Sequence, residues 1–235
     1  MTFWKGDFMK NRMVVVLIIF AAAAMTGPVA MALAPFGATT PEVNAGQFLL
    51  GADYAYARTD VKAEDSSGHI RTNTYLAKLG FGICNEWEVY ARLGTGNVRA
   101  EDFDGRYRAA GGFGTKVSFY KWEDFDWGAI YQMTWLYSRD EVSDVTVKMK
   151  PWDAQIAIGP TYKPCDCFSI YGGPYLEIMR GKITAEGETA RISNTLVGVY
   201  VGTEVKLCPY SSVHVEMQFA QHNSFGVSTG LAWRF

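Results

Sequence analysis

Four cysteines, three histidines and 24 carboxylates are the side chains of this 235-residue chain that could carry covalent or proton-transfer chemistry. The cysteines stand at 84, 165, 167 and 208, each next to a tight connection between strand-like segments. In an oxidising compartment, Cys208 could bridge to Cys165 or Cys167, while Cys84, farther away, stays free or pairs with a partner. A Cys-x-Cys with two further thiols could also ligate zinc, but no histidine accompanies them and the turns are separate, so no metal site or other cofactor is expected. The acids Asp60, Asp102, Asp104, Asp140 and Asp144 and the histidines His69 and His222 fall in longer polar connections, where a solvated acidic surface is the ordinary reading. His214-Val215-Glu216 puts two titratable groups on one face of a strand. The string GGFGTK at residues 111–116 lacks the spacing and the following Ser/Thr of a phosphate loop and sits in mid-strand.

The elements that must position these groups begin with an export signal. Lys5, Lys10 and Arg12 precede the apolar run Met13–Met25, and Ala30-Met31-Ala32 and Ala32-Leu33-Ala34 offer cleavage sites. Residues 1–34 therefore read as a signal peptide cleaved after Ala32 or Ala34. An uncleaved helical anchor is the rival, but a run of 13 apolar residues is short of the ~20 a span needs. Residues 35–46 read as a short periplasmic lead. Removing residues 1–34 leaves 19 basic (22 minus 3) against 23 acidic (24 minus 1) residues, a charge of −4 that gives no electrostatic footprint for nucleic acid.

From residue 47 to 235 the hydropathy alternates with period two, the signature of strands. One face of each segment is large and apolar, as in Trp127-Ala129-Tyr131-Met133-Trp135-Tyr137 and Val197-Val199-Val201. The opposite faces carry the glycines and the charges Asp53, Lys78, Glu88, Arg92, Arg108, Lys116, Asp153, Glu177, Glu204, Lys206 and Glu216. A soluble sandwich can alternate as cleanly. Three features favour a membrane barrel: aromatics at the ends of the apolar faces (Trp87, Trp127, Tyr137, Trp152, Tyr162, Phe168, Trp233), segments of about 10–12 residues, and connections that are alternately short and long. Short turns near Asn85, Trp122, Cys165 and Pro209 and five longer loops make ten strands. The predicted fold is thus all-β, a closed antiparallel up-and-down transmembrane barrel.

The leader, the alternation and the ending Leu231-Ala232-Trp233-Arg234-Phe235 resemble the small bacterial outer-membrane β-barrels of the OmpA/OmpX type, although ten strands departs from the eight of the smallest members. The resemblance implies an outer-membrane location, contact with its lipid, and a final strand read by the barrel-assembly machinery through Leu231, Trp233 and Phe235. Ten strands is also the number in the omptin proteases, so an omptin-like or lipid-modifying rim enzyme is the third reading. In the lumen, Asp53, Lys78, Arg92 and Glu216 fall at one height on neighbouring strands and are expected to pair across it, because a lone buried charge is costly. The leading expectation is a plugged structural barrel presenting short acidic loops to an external ligand or surface. A narrow pore for small solutes is the alternative.

Overall fold

In the computed structural model the described residues are 34–63, 66–100, 103–142, 145–185, 188–221 and 224–235, so the expected leader lies outside them except for Ala34. They form β1 (Phe48–Ala63), β2 (Ser66–Cys84), β3 (Trp87–Ala100), β4 (Phe103–Asp104), β5 (Arg108–Trp122), β6 (Phe125–Leu136), β7 (Ser138–Val142), β8 (Val145–Cys165), β9 (Phe168–Ala185), β10 (Glu188–Cys208), β11 (Ser211–Ala220) and β12 (Ser224–Arg234). Ten of these make the wall, each antiparallel to its neighbours. The ring closes where β1, already paired with β2, also pairs β12 from Leu49↔Arg234 to Arg58↔Phe225. The remaining two, β4 and β7, are short additions at the long-loop end, β4 pairing β3 and β7 running on beyond β6 along β8.

Side chains obey the alternation in an inverted sense. Leu79, Leu93, Ile156 and Val199 point outward and are more than half exposed, whereas Lys78, Lys116 and Glu177 point inward and are at most 2% exposed. An apolar belt that wraps the whole wall is far larger than the patches soluble monomers tolerate, and only hydrocarbon covers it. Two aromatic rings bound the belt. Trp87, Trp127, Tyr162 and Trp233 mark the short-turn end, and Tyr75, Tyr107, Trp135 and Trp152 the long-loop end. On β8, Tyr162 and Trp152 are ten residues apart; at ~3.4 Å per residue and a tilt of ~40° that is roughly 26 Å, the height of a bilayer's apolar band.

The four expected tight turns are two-residue connections at Asn85–Glu86, Glu123–Asp124, Asp166–Cys167 and Pro209–Tyr210. A register shift precedes each, as between Gly82 and Cys84 and between Lys206 and Cys208, the bulges that bend strands at a barrel rim. The long connections differ from their expected form. Residues read as loops at 60–70, 139–147 and 182–193 are largely paired backbone, so these hairpins stand beyond the belt as ladders such as Lys150↔Lys182 and Arg191↔Lys182. On β8 and β9 there the charged residues Lys148, Lys150 and Lys182 take the outward face while Val147, Met149 and Ile183 stay buried inside, so the outward face no longer reads as a membrane strand although the chain stays extended.

Candidate functional site in the lumen

The interior is filled by a segment that the sequence reading placed outside it. Residues 34–46, expected as a lead, enter at the short-turn end and run up the lumen, with residues 34–40 all buried. At the entrance the Gly46 amide donates to the Gly82 carbonyl and the Ala45 amide to Asn85 Oδ1. Val43 then packs on Leu49 and Ala232. Higher up, the Thr39 hydroxyl donates to the Gly159 carbonyl, and Phe36 stacks between Tyr175 and Tyr200 with ring centroids 5.1 and 4.8 Å away. At the top Ala34 joins an apolar cluster with Leu76, Val98, Leu136, Met149, Met179 and Ile183, which closes the lumen toward the long-loop end.

Charges tie the segment to the wall. Glu42 receives Lys78 Nζ at 3.0 Å and Lys116 Nζ in a still closer contact. The Glu42 amide donates to Glu88 Oε2 at 2.6 Å. The two ammonium groups offset the cost of burying the Glu42 carboxylate. Glu216 accepts the amides of Phe36 and Gly37 at 3.0 and 2.8 Å, and Gln218 Nε2 at 2.8 Å. Arg92 donates to the Pro35 carbonyl and to Gln132, and Arg234 Nε to the Glu42 carbonyl.

The four residues expected to pair with one another are all inside, but they divide. Arg92 Nε stands 3.3 Å from Asp53 Oδ2, with His214 Nε2 3.7 Å from the other oxygen. Lys78 and Glu216 instead engage residues 36–42. Among the further lumen candidates, Glu88, Lys116, Asp153 and Glu177 are buried, and Glu204 pairs with Arg234 at 2.5 Å. Arg108 and Lys206 stand at opposite rims, where the strand ends open to solvent; both are exposed, and Lys206 lines the cavity at the short-turn rim. Glu42, Phe36 and Gly37 escaped the sequence reading. A single carboxylate in a stretch of small residues has no periodicity to mark which face it serves.

Near the short-turn rim a polar cavity of about 360 Å³ lies between the segment and the wall, lined among others by Glu42, Asp126, Lys163, Glu204 and Arg234. Cys165 and Cys167 face each other there with Sγ atoms 2.7 Å apart, Cys208 lies against Ser211 Oγ at 3.0 Å, and Cys84 is half-buried; all four are unbonded. At the opposite rim, Asp104 is bound to Arg99 at 2.7 Å, and its amide donates to Asp140 Oδ2. Asp102, Asp144 and His222 lie outside the described residues. The hairpin ladders at this end carry Arg71, Arg99, Lys148, Lys150, Arg180, Lys182 and Arg191 exposed, with Asp104, Glu141 and Glu188 exposed beside them. Leu231, Trp233 and Phe235 face outward on the closing strand.

No known family model and no curated protein matches the sequence. Solved structures do match in shape. The translocator domain of the autotransporter NalP from Neisseria meningitidis superposes with a TM-score of 0.52 at 8% identity, over 97% of this chain and 98% of that one. The outer-membrane protease OmpT from Escherichia coli gives 0.51 at 10% identity, over 81% and 97%. The fold is that of the small bacterial outer-membrane β-barrels. Ail, the attachment invasion locus protein of Yersinia pestis, gives a TM-score of 0.40 at 14% identity, over 81% of this chain and 99% of Ail. The shared feature is the barrel wall, and an outer-membrane barrel of this size is what the belt and its aromatic rings require.

Proposed function

We propose that this protein is a closed, non-conducting outer-membrane barrel that presents its long-loop end to the outside. Its short turns then lie in the periplasm, and residues 1–34 act as the export leader. One observation carries the reading: residues 34–42 occupy the lumen with their charges matched, Glu42 to Lys78 and Lys116 and the Phe36 and Gly37 amides to Glu216. Above them the apolar cluster around Met149, Met179 and Ile183 forms a second closure. A solute would have to displace both, and the rim cavity of about 360 Å³ offers a vestibule without a path. The outward row Leu231, Trp233 and Phe235 fits a terminal strand handed to the assembly machinery. A protease reading would need acids and a histidine converging at the long-loop rim, and Asp104 and Asp140 there are engaged with Arg99 and with backbone.

The test is single-channel recording from the refolded chain in a planar bilayer at neutral pH and moderate salt. Silence from a protein shown to be folded by its faster migration before boiling is the expected result. Stable discrete conductance steps would overturn the closed reading and make Lys78, Arg92 and Glu216 selectivity residues.

A further inference from the structure

The outward face of β8, β9 and β10 changes character abruptly just beyond the belt. Going up β8 the outward residues run Ile158, Ile156, Ala154 and Trp152, and then Lys150 and Lys148. On β9 they run Leu176 and Ile178, and then Arg180 and Lys182. The ladders set Lys150 directly opposite Lys182, and Lys182 directly opposite Arg191 on β10, so three cations form one row across three strands. Arg180 stands in the row below, opposite Trp152 and Ser193. All five bases are exposed, and none has an acidic partner among the described residues. Lys150 Nζ lies 5.6 Å from the centre of the Tyr137 ring.

Like charges directly opposite one another on a sheet are destabilising, and no carboxylate among the described residues is paired with this row. Its height says what does. Lys150 is two residues above Trp152, ~7 Å along a strand tilted ~40°, hence about 5 Å above the aromatic ring that marks the headgroup level. At that depth the available anions are lipid phosphates, and a freely soluble ligand would have to enter the headgroup layer to reach them.

We propose that Lys148, Lys150, Arg180, Lys182 and Arg191 form a binding site for the phosphate groups of an anionic lipid in the outer leaflet. The inference rests on the reading of the barrel as membrane-embedded with this end outward. The guanidinium groups give forked donors and the ammonium groups point charges, a combination suited to phosphate oxygens. The row also spans three strands, so one bound headgroup would bridge β8, β9 and β10 above the membrane.

The test uses the refolded full chain in phosphatidylcholine nanodiscs, titrated with diphosphoryl lipid A and, separately, with its dephosphorylated form, the bound lipid being counted by native mass spectrometry. The diphosphoryl lipid should bind, and the triple variant Lys150→Gln/Lys182→Gln/Arg191→Gln should lose at least about tenfold in affinity, with the difference vanishing near 1 M salt. The control Lys121→Gln/Lys163→Gln at the short-turn end should bind as the parent does. The substituted residues are exposed and mutually repulsive, so folding should survive; migration before boiling verifies it. Equal binding by the folded triple variant, or equal binding of the dephosphorylated lipid, overturns the proposal. Displacement by millimolar inorganic phosphate also overturns it, as the mark of a free-anion site. A chain that stays monomeric in buffer without detergent would instead overturn the membrane reading beneath it.

Discussion

Replacing Glu42 by Gln should loosen the luminal segment without touching the wall. In the parent, Glu42 compensates Lys78 and Lys116, which are 2% and 0% exposed, so the amide leaves two cations in the interior short of a counter-charge. Removing one partner of a buried pair costs about 3–5 kcal/mol. The lower end applies here, because Glu88 lies beside both lysines and takes up part of the charge. The segment is not part of the β-ladder, so the system relieves the cost by undocking residues 34–44 and admitting water. About 3 kcal/mol corresponds to a rise of roughly 150-fold in the open population. Hydrogen exchange reads this directly, since the Phe36 and Gly37 amides donate to Glu216 and exchange only when the segment leaves. In Glu42→Gln their protection should fall by about two orders of magnitude, while wall amides in the middle of β6 and β9 keep theirs. A change below threefold at Phe36 and Gly37 in a folded barrel would refute the claim that Glu42 anchors the segment.

The same interactions yield further expectations. Arg92→Ala leaves Asp53 with only His214 at 3.7 Å and should destabilise the barrel by about 3 kcal/mol, read as a lower urea midpoint in lipid; an unchanged midpoint would sink the pairing. Gly37 has φ +72°, and a Cβ there would come within 3.0 Å of Lys116 Nζ, so Gly37→Ala should weaken docking by about 1–2 kcal/mol and speed exchange at Phe36. All four thiols are free in the structure, and on oxidation Cys165 and Cys167, whose Sγ atoms lie 2.7 Å apart, should join first, so that maleimide labelling of the oxidised, denatured protein finds two thiols; four reactive thiols would exclude any disulfide, and a bridge containing Cys208 would favour the pairing expected from sequence.

The wall could be read from the chain because lipid enforces period two with unusual strictness: every outward residue from Trp127 to Trp135 faces hydrocarbon and every inward one faces the lumen. Tight turns were readable for a related reason, since Asn85, Asp166 and Pro209 interrupt that alternation abruptly. The rule stops where the lipid stops. Above Trp152 the outward face of β8 turns polar while Val145, Val147 and Met149 stay buried inside, so Thr146 and Lys148 look like loop although they stay in the ladder. The luminal segment was hidden more deeply. Asp53, Lys78, Arg92 and Glu216 announce an interior that must be neutralised, but a mutual pairing and a pairing through Glu42 satisfy the same charge balance. Only the three-dimensional height of Glu42, set by the Gly46–Gly82 hydrogen bond at the entrance, selects the second.

Barrel size explains why a segment, and not side chains alone, had to do this. Ten strands spaced ~4.8 Å apart and tilted ~40° give a circumference of roughly 63 Å and a radius of about 10 Å, whereas eight strands give about 8 Å. Inward side chains reach about 6 Å from the wall, so an eight-stranded barrel nearly fills itself and a ten-stranded one keeps a bore about 8 Å wide. That is the width of one extended chain bearing small side chains, which describes Ala34, Gly37, Ala38, Thr39 and Thr40. The two larger residues sit where the wall yields to them: Phe36 between Tyr175 and Tyr200, and Glu42 between Lys78 and Lys116. The segment also meets both sides of the β1–β12 seam, through Lys78 and Glu88 on one flank and Arg234 and Glu216 on the other. Filling the bore and holding the closing strands together are therefore consequences of one docking event, and both begin at the residue that leads into β1.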